Sequence, residues 1–249
     1  MARLRKHYKD SGTGEKVVIL LPGFPASLRY WTSTQRYLIG EGYRVISIDL
    51  LGLGAAPKPR RAKYDYADHI DYTYKVIEGL GLDKNVSIIG HSMGALLGAR
   101  YAVEYPSKIN SLILLNPPLY MSEEEAYETL RDTGRLYRFM LDSKFRGIAW
   151  TFARIATLGI IARHTRMSRD STLSNIVQSA EIFTDLDAIQ TPTLLLVGLK
   201  DRPEYLKNIR SHTFAKNIVV RIENVSHHSP LFYKTLLRPL ITDFLSRNI

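Results

Sequence analysis

The chain has 249 residues, 45% of them hydrophobic and 23% charged, enough to bury the core of one α/β domain with room for an insertion. It holds no cysteine, which excludes disulfides, thiolate metal sites and a thiol nucleophile. The net charge is +10, but the excess is spread over the two flanks and absent from 119–186. The one basic cluster, Lys58 to Lys63, lacks interleaved aromatics, so nucleic acid is not an expected partner.

The opening stretch is polar, with no apolar segment of the signal-peptide kind, and no charge-free run reaches transmembrane length. The expectation is a cytoplasmic protein without integral membrane association. Leu4 to Lys9, before Ser11-Gly-Thr-Gly14, reads as an antiparallel edge strand. Val17 to Leu21 is a continuous apolar run, the mark of a strand buried on both faces. It ends at Pro22-Gly23-Phe24-Pro25, and Ser27 is placed to cap a helix through Leu38. Tyr43 to Ile48 is a second buried strand, followed by a glycine-rich turn from Asp49 to Gly54. Asp65 to Leu80 reads as a helix. Strands alternating with helices at this spacing imply right-handed crossovers and a mostly parallel sheet.

The stretch from Val86 to Tyr105 carries the most chemistry. A β-branched run (Val86, Ile88, Ile89) stops at Gly90-His91-Ser92-Met93-Gly94, and a helical pattern begins at once. This is a strand, a sharp turn and a helix, with serine at the apex: the G-x-S-x-G nucleophile elbow. Gly90 and Gly94 fall where a Cβ would collide as strand and helix close on each other. The helix N-terminus below Ser92 favours negative charge developing there.

After a strand from Ser111 to Leu115 the texture changes. Residues 119–186 show no strand candidate. Ser122-Glu-Glu-Glu125 opens a helix as a capping box, and Gly147 to Ala162 reads as one apolar helix with a single interior charge, Arg154. Such a helix packs over the domain, and its underside, Trp150 included, is a candidate lining for a substrate pocket. The sheet resumes with Thr193 to Val197 and Gly198-Leu-Lys-Asp201, then Ile218 to Ile222. His227-His228-Ser-Pro230 and a closing helix end the chain.

Ser92, Asp201 and the His227/His228 pair all fall just past the C-termini of expected strands, where catalytic groups of such sheets gather. A serine hydroxyl needs a base to become a nucleophile, and the base needs an orienting carboxylate. Metal binding by the histidine pair is not expected without further ligands nearby.

Taken in order, Leu21-Pro-Gly-Phe-Pro25, Asp49-Leu-Leu-Gly-Leu-Gly54, Gly90-His-Ser-Met-Gly94, Gly198-Leu-Lys-Asp201 and His228-Ser-Pro230 resemble the α/β-hydrolase fold superfamily over nearly the whole chain. The resemblance implies an α/β fold, a mostly parallel twisted sheet with helices on both faces. Its core domain would be 1–118 and 187–249, with 119–186 inserted as a helical cap. It implies a triad of Ser92, Asp201 and His228, with His228 preferred because His-Ser-Pro is similar to the family's Gly-His-x-Pro and places His227 in the glycine position. The oxyanion donors would be the N–H groups of Phe24 and Met93, since Pro25 has none to give. His91, the variable residue of the elbow, would form the pocket wall or stand behind the reacting groups. Pro22 departs from the pattern, standing where many members have histidine. The implied activity is cleavage of carboxylic esters of small or medium acyl groups through an acyl-enzyme, without cofactor or metal. Lipase, thioesterase, carbon–carbon hydrolase and perhydrolase chemistry share this triad, as would a small-molecule receptor that kept it.

Overall fold

The computed structural model of the chain describes residues 7–82, 86–131 and 146–248. Among the described residues seven strands form one sheet: β1 (Tyr8–Ser11), β2 (Val17–Leu21), β3 (Arg44–Ile48), β4 (Val86–His91), β5 (Ile109–Leu115), β6 (Thr193–Gly198) and β7 (Ile218–Glu223). Their order is β1-β3-β2-β4-β5-β6-β7, parallel throughout except for the antiparallel edge pair of β1 with β3. The edge strand ends two residues later than the expected Lys9, because Tyr8 to Ser11 pair in register with Ile48 back to Val45. Residues 1–6, where that expected strand began, lie outside the described residues.

The centre of the sheet is made by β2 (Val17–Leu21), β4 (Val86–His91), β5 (Ile109–Leu115) and β6 (Thr193–Gly198). All five residues of β2 are buried, and they divide by parity between two cores. Ile19 and Leu21 join the layer opposite helix α1 (Thr32–Gly40), under helix α2 (Tyr66–Gly79) and helix α3 (Met93–Glu104). Val18 and Leu20 join the layer with Trp31, Leu38 and the C-terminal helix Lys234–Asn248. A strand covered on both faces has no solvent side, so each side chain contributes about 1.5–3 kcal/mol of burial and no alternation of polarity is seen. Helices therefore flank the sheet on both sides, as the sequence predicts.

Between β5 and β6 the described residues form helices and turns joined by isolated bridges to the core: Ala26 to Ile161 and Leu53 to His164. Helix Glu123–Arg131 opens with Glu125 N–H donating to Ser122 Oγ, while the Glu125 carboxylate reaches back to Met121 N–H. The expected continuous helix from Gly147 to Ala162 is corrected. The helix spans Arg146–Ala156 and then turns, with Leu158 at φ 51° and Gly159 at φ 80°. Thr157 Oγ1 donates to Ala153 O and accepts from Ile161 N–H, drawing the chain out of the helix and into its bridge with Ala26. Residues 132–145, inside the expected insertion, lie outside the described residues.

His69, on α2, is fully buried, with Nε2 3.2 Å from Thr172 Oγ1 and Nδ1 without a partner among the described residues. Burial pushes its pKa down to about 4, against a smaller opposing pull from Asp65. An unfolded chain takes up the proton near pH 6.5, before the folded one does, so stability is full above that pH and is lost as pH falls towards 4. The whole shift corresponds to about 3 kcal/mol. The urea midpoint is expected to drop between about pH 7 and pH 5, and His69→Gln to remove part of that slope. Identical slopes for wild type and variant would contradict the assignment.

Candidate active site

Three strand ends build the site. β4 runs directly into Ser92, whose backbone stands at φ 53°, ψ −121°, a conformation an L-residue holds at a cost of about 1–3 kcal/mol. The surroundings enforce it. Ser92 N–H donates to Leu115 O on β5. A Cβ on Gly90 would meet Gly94 O at 2.3 Å, and one on Gly94 would meet Leu21 O at 2.2 Å. Helix α3 can therefore start immediately and point its N-terminus at the serine. Ser92 is 9% exposed, enough for its hydroxyl to reach the cavity above.

β6 delivers Asp201 through the turn Gly198 to Asp201, and the loop after β7 (Ile218–Glu223) delivers the histidines. Here one expectation is corrected. His227, not His228, lies between the other two groups: its Nδ1 is 2.8 Å from Asp201 Oδ2 and its Nε2 is 3.0 Å from Ser92 Oγ. His228 is the residue before the one-turn helix Ser229–Phe232, and its ring sits edge-on to Tyr30 at 6.2 Å. It lines the cavity, and burial, followed by the adjacent His227, pushes its pKa down.

Because the Asp201 carboxylate accepts from Nδ1–H, the Nε2 lone pair of a neutral His227 faces the serine hydroxyl. Asp201 is itself held. Asn116 Nδ2 donates to its Oδ2 at 3.2 Å, and Arg202 N–H donates to Oδ1 at 3.0 Å. Asn116 stands at φ 49° at the end of β5, and Ser229 Oγ donates to its carbonyl oxygen at 2.7 Å. Sequence reasoning missed Asn116 and Ser229 as parts of the site. The only trace of the first was an asparagine, which tolerates positive φ, ending a strand before two prolines.

For His91 the pocket-wall alternative is corrected: the residue is buried beneath the site and does not line the cavity. It stacks on Tyr30 at 4.8 Å, and its Nε2–H donates to the His227 carbonyl at 2.7 Å. Burial pushes its pKa well below the ordinary imidazole value, with the charge of His227 adding to the effect, so the ring stays neutral. Gly23 is packed against the elbow, since a Cβ there would lie 2.9 Å from both His91 Nδ1 and Ser92 Cβ. That contact brings Phe24 to the cavity beside Ser92. Among the described residues, the Phe24 and Met93 N–H groups enter no loop or turn hydrogen bond.

The cavity over Ser92 has a volume of about 750 Å³ and mostly apolar walls, including Phe24, Tyr120, Trp150, Tyr205 and Leu231, with Arg202 among the few polar groups. Trp150 belongs to helix Arg146–Ala156 and lines this cavity. Among the described residues there is no cluster of side chains suited to a metal ion.

A nucleophile elbow on a parallel sheet with this strand order defines a class, and the comparison with known proteins gives the same one. The model of the α/β hydrolase fold family matches residues 16–147, just over half of the chain, and the chain belongs to that family. Probable lysophospholipase BODYGUARD 2 of Arabidopsis thaliana is 34% identical over 116 residues, which cover 45% of this chain and 25% of that protein. Haloalkane dehalogenase of Mycolicibacterium paratuberculosis is 33% identical over 115 residues, covering 45% of this chain and 38% of that one. The match thus spans well under half of either relative. Among solved structures, a bromoperoxidase from Bacillus anthracis superposes with a TM-score of 0.79 at 23% identity, covering 96% of this chain and 94% of that one, a likeness of fold alone.

Proposed function

We propose that the protein is a serine hydrolase that cleaves carboxylic esters of small or medium acyl groups. The observation that carries this reading is the line of contacts from Asp201 through His227 to Ser92, at 2.8 and 3.0 Å. His227 Nε2 takes the Ser92 proton as Oγ attacks the ester carbonyl, and the C–O⁻ that forms accepts hydrogen bonds from the Phe24 and Met93 N–H groups. Collapse breaks the bond to the alcohol, whose oxygen receives the proton from His227. Water, deprotonated by His227, then attacks the acyl–Ser92 ester; as the bond to Ser92 Oγ breaks, His227 returns the proton to that oxygen and the acid is freed.

A serine at the elbow argues against alkyl halides as substrates despite the similarity to a dehalogenase. Displacement of halide by a serine oxygen would leave an ether, which this machinery cannot hydrolyse, whereas an acyl ester can turn over. The lysophospholipase name of the Arabidopsis relative denotes cleavage of a carboxylic ester, which agrees with the reading. The cavity volume lies within the range that encloses a medium-sized organic group. We read 119–186 as a cap over this cavity, with Trp150, Ile160 and Ile161 on its underside.

The test is hydrolysis of p-nitrophenyl acyl esters of increasing chain length, together with labelling by a fluorophosphonate. The expected outcome is a preferred acyl length and one phosphonyl adduct on the peptide carrying Ser92. An adduct elsewhere, or none alongside no turnover of any ester, would overturn the assignment.

A further inference from the structure

A second cavity, of about 680 Å³, is lined by other residues of the segment that borders the first. Ile161 borders both. The second is lined by three arginines, Arg29, Arg154 and Arg163, and by one carboxylate, Asp49. Asp49 is already engaged: Leu28 N–H donates to its Oδ1 and Ala55 N–H to its Oδ2, each at 2.7 Å, and the charge of Lys58 acts on it. Arg29 donates to Leu158 O at 2.9 Å. Neither Arg154 nor Arg163 has an anionic partner among the described residues. From 146 to 170 the chain carries five arginines and one acidic residue, Asp170, which is taken up by Arg166 and Arg169 and not by the arginines of the cavity.

The same segment leaves large apolar side chains in water. Leu158 is 81% exposed, Phe152 74% and Ile155 66%, with Ile155 and Leu158 on the rim of the arginine-lined cavity. Apolar side chains alone would suit many partners. Set among unpaired guanidinium groups, they suit a surface that is oily and negatively charged at once, and guanidinium forks match phosphate oxygens in pairs.

We propose that this face docks on anionic phospholipid membranes, with the arginine-lined cavity seating lipid phosphates and Phe152, Ile155 and Leu158 entering the acyl boundary. The cavity over Ser92 then opens from a segment held at the lipid surface. The docking does not depend on the reaction assigned to Ser92.

The experiment is cosedimentation of the full chain with phosphatidylcholine vesicles, with and without phosphatidylglycerol, at low and high salt. Wild type is expected to pellet with the anionic vesicles only, and to be released by salt. Arg154→Gln with Arg163→Gln should weaken binding about 25-fold, at about fivefold for each charge removed. Phe152→Ser with Leu158→Ser should also release the protein, while thermal melting and hydrolysis of a short soluble ester stay as in wild type. Equal binding to neutral vesicles, or unweakened binding by both variants, would overturn the proposal. So would stabilisation by inorganic phosphate without vesicle binding, which would mark a site for free anions. Self-association abolished by Phe152→Ser, again without vesicle binding, would assign the face to a second copy and overturn it too. Because pelleting is read without turnover, failure here is distinct from failure of the esterase reading.

Discussion

Ser92→Ala and His227→Ala are each expected to lower kcat for a p-nitrophenyl ester by about a millionfold, and the double variant to lose no more than either alone. The reason is that the two groups act as one device. A hydroxyl without a base 3.0 Å away is a poor nucleophile, and a base without the hydroxyl has no proton to take. Residual turnover would come from substrate binding and from the Phe24 and Met93 N–H groups. His228→Ala should cost far less, because that ring borders the cavity and reaches neither Ser92 nor Asp201 by a hydrogen bond. Steady-state kinetics on the four variants decide the matter. A larger loss in His228→Ala than in His227→Ala would reassign the base, and additive losses would mean that the two residues act separately.

Asp201→Asn should reduce kcat by about ten-thousandfold while leaving the fold in place. The carboxylate accepts from three N–H donors, using both oxygens: His227 Nδ1 and Asn116 Nδ2 on one, Arg202 N–H on the other. An amide supplies one acceptor oxygen, so in either orientation an NH₂ faces a donor. If it faces His227, the ring must carry its proton on Nε2 and present N–H, not a lone pair, to Ser92. The protonated ring also loses the negative charge that stabilises it. Kinetics together with a thermal melt are the measurement, and a loss under about tenfold would remove Asp201 from the orienting role.

The sheet was legible because strands buried on both faces are dominated by apolar residues. β2 and β6 carry unbroken apolar runs, while the run of β4 is interrupted by Ser87 and that of β5 preceded by Asn110 and Ser111. The elbow was legible because its glycines are obligatory; Gly90 and Gly94 have backbone where a Cβ would go. The base was not legible to the residue. His227 and His228 are chemically identical neighbours, and the spacing to Pro230 points to the wrong one, because His228 is taken up by the turn into Ser229–Phe232. Helix Arg146–Ala156 was overextended for a similar reason. Its apolar composition continues to Ala162, but the exit is made by a threonine hydroxyl and two residues at positive φ, local geometry that hydrophobic patterning does not register. Asn116 and Ser229 act only through Asp201, so nothing in their own neighbourhoods announces them.

The imidazole of His91 gives the site a property that its reacting groups alone would lack. Nucleophile and base lie 135 residues apart in the chain, and the base is carried by the loop after β7. Yet the residue beside Ser92 holds the main chain of His227 through a 2.7 Å hydrogen bond. The separation of the two is thus gauged from the sheet itself, as a spacer block sets a gap. A change of course elsewhere in the loop therefore leaves the working distance at the centre of the site set by this contact.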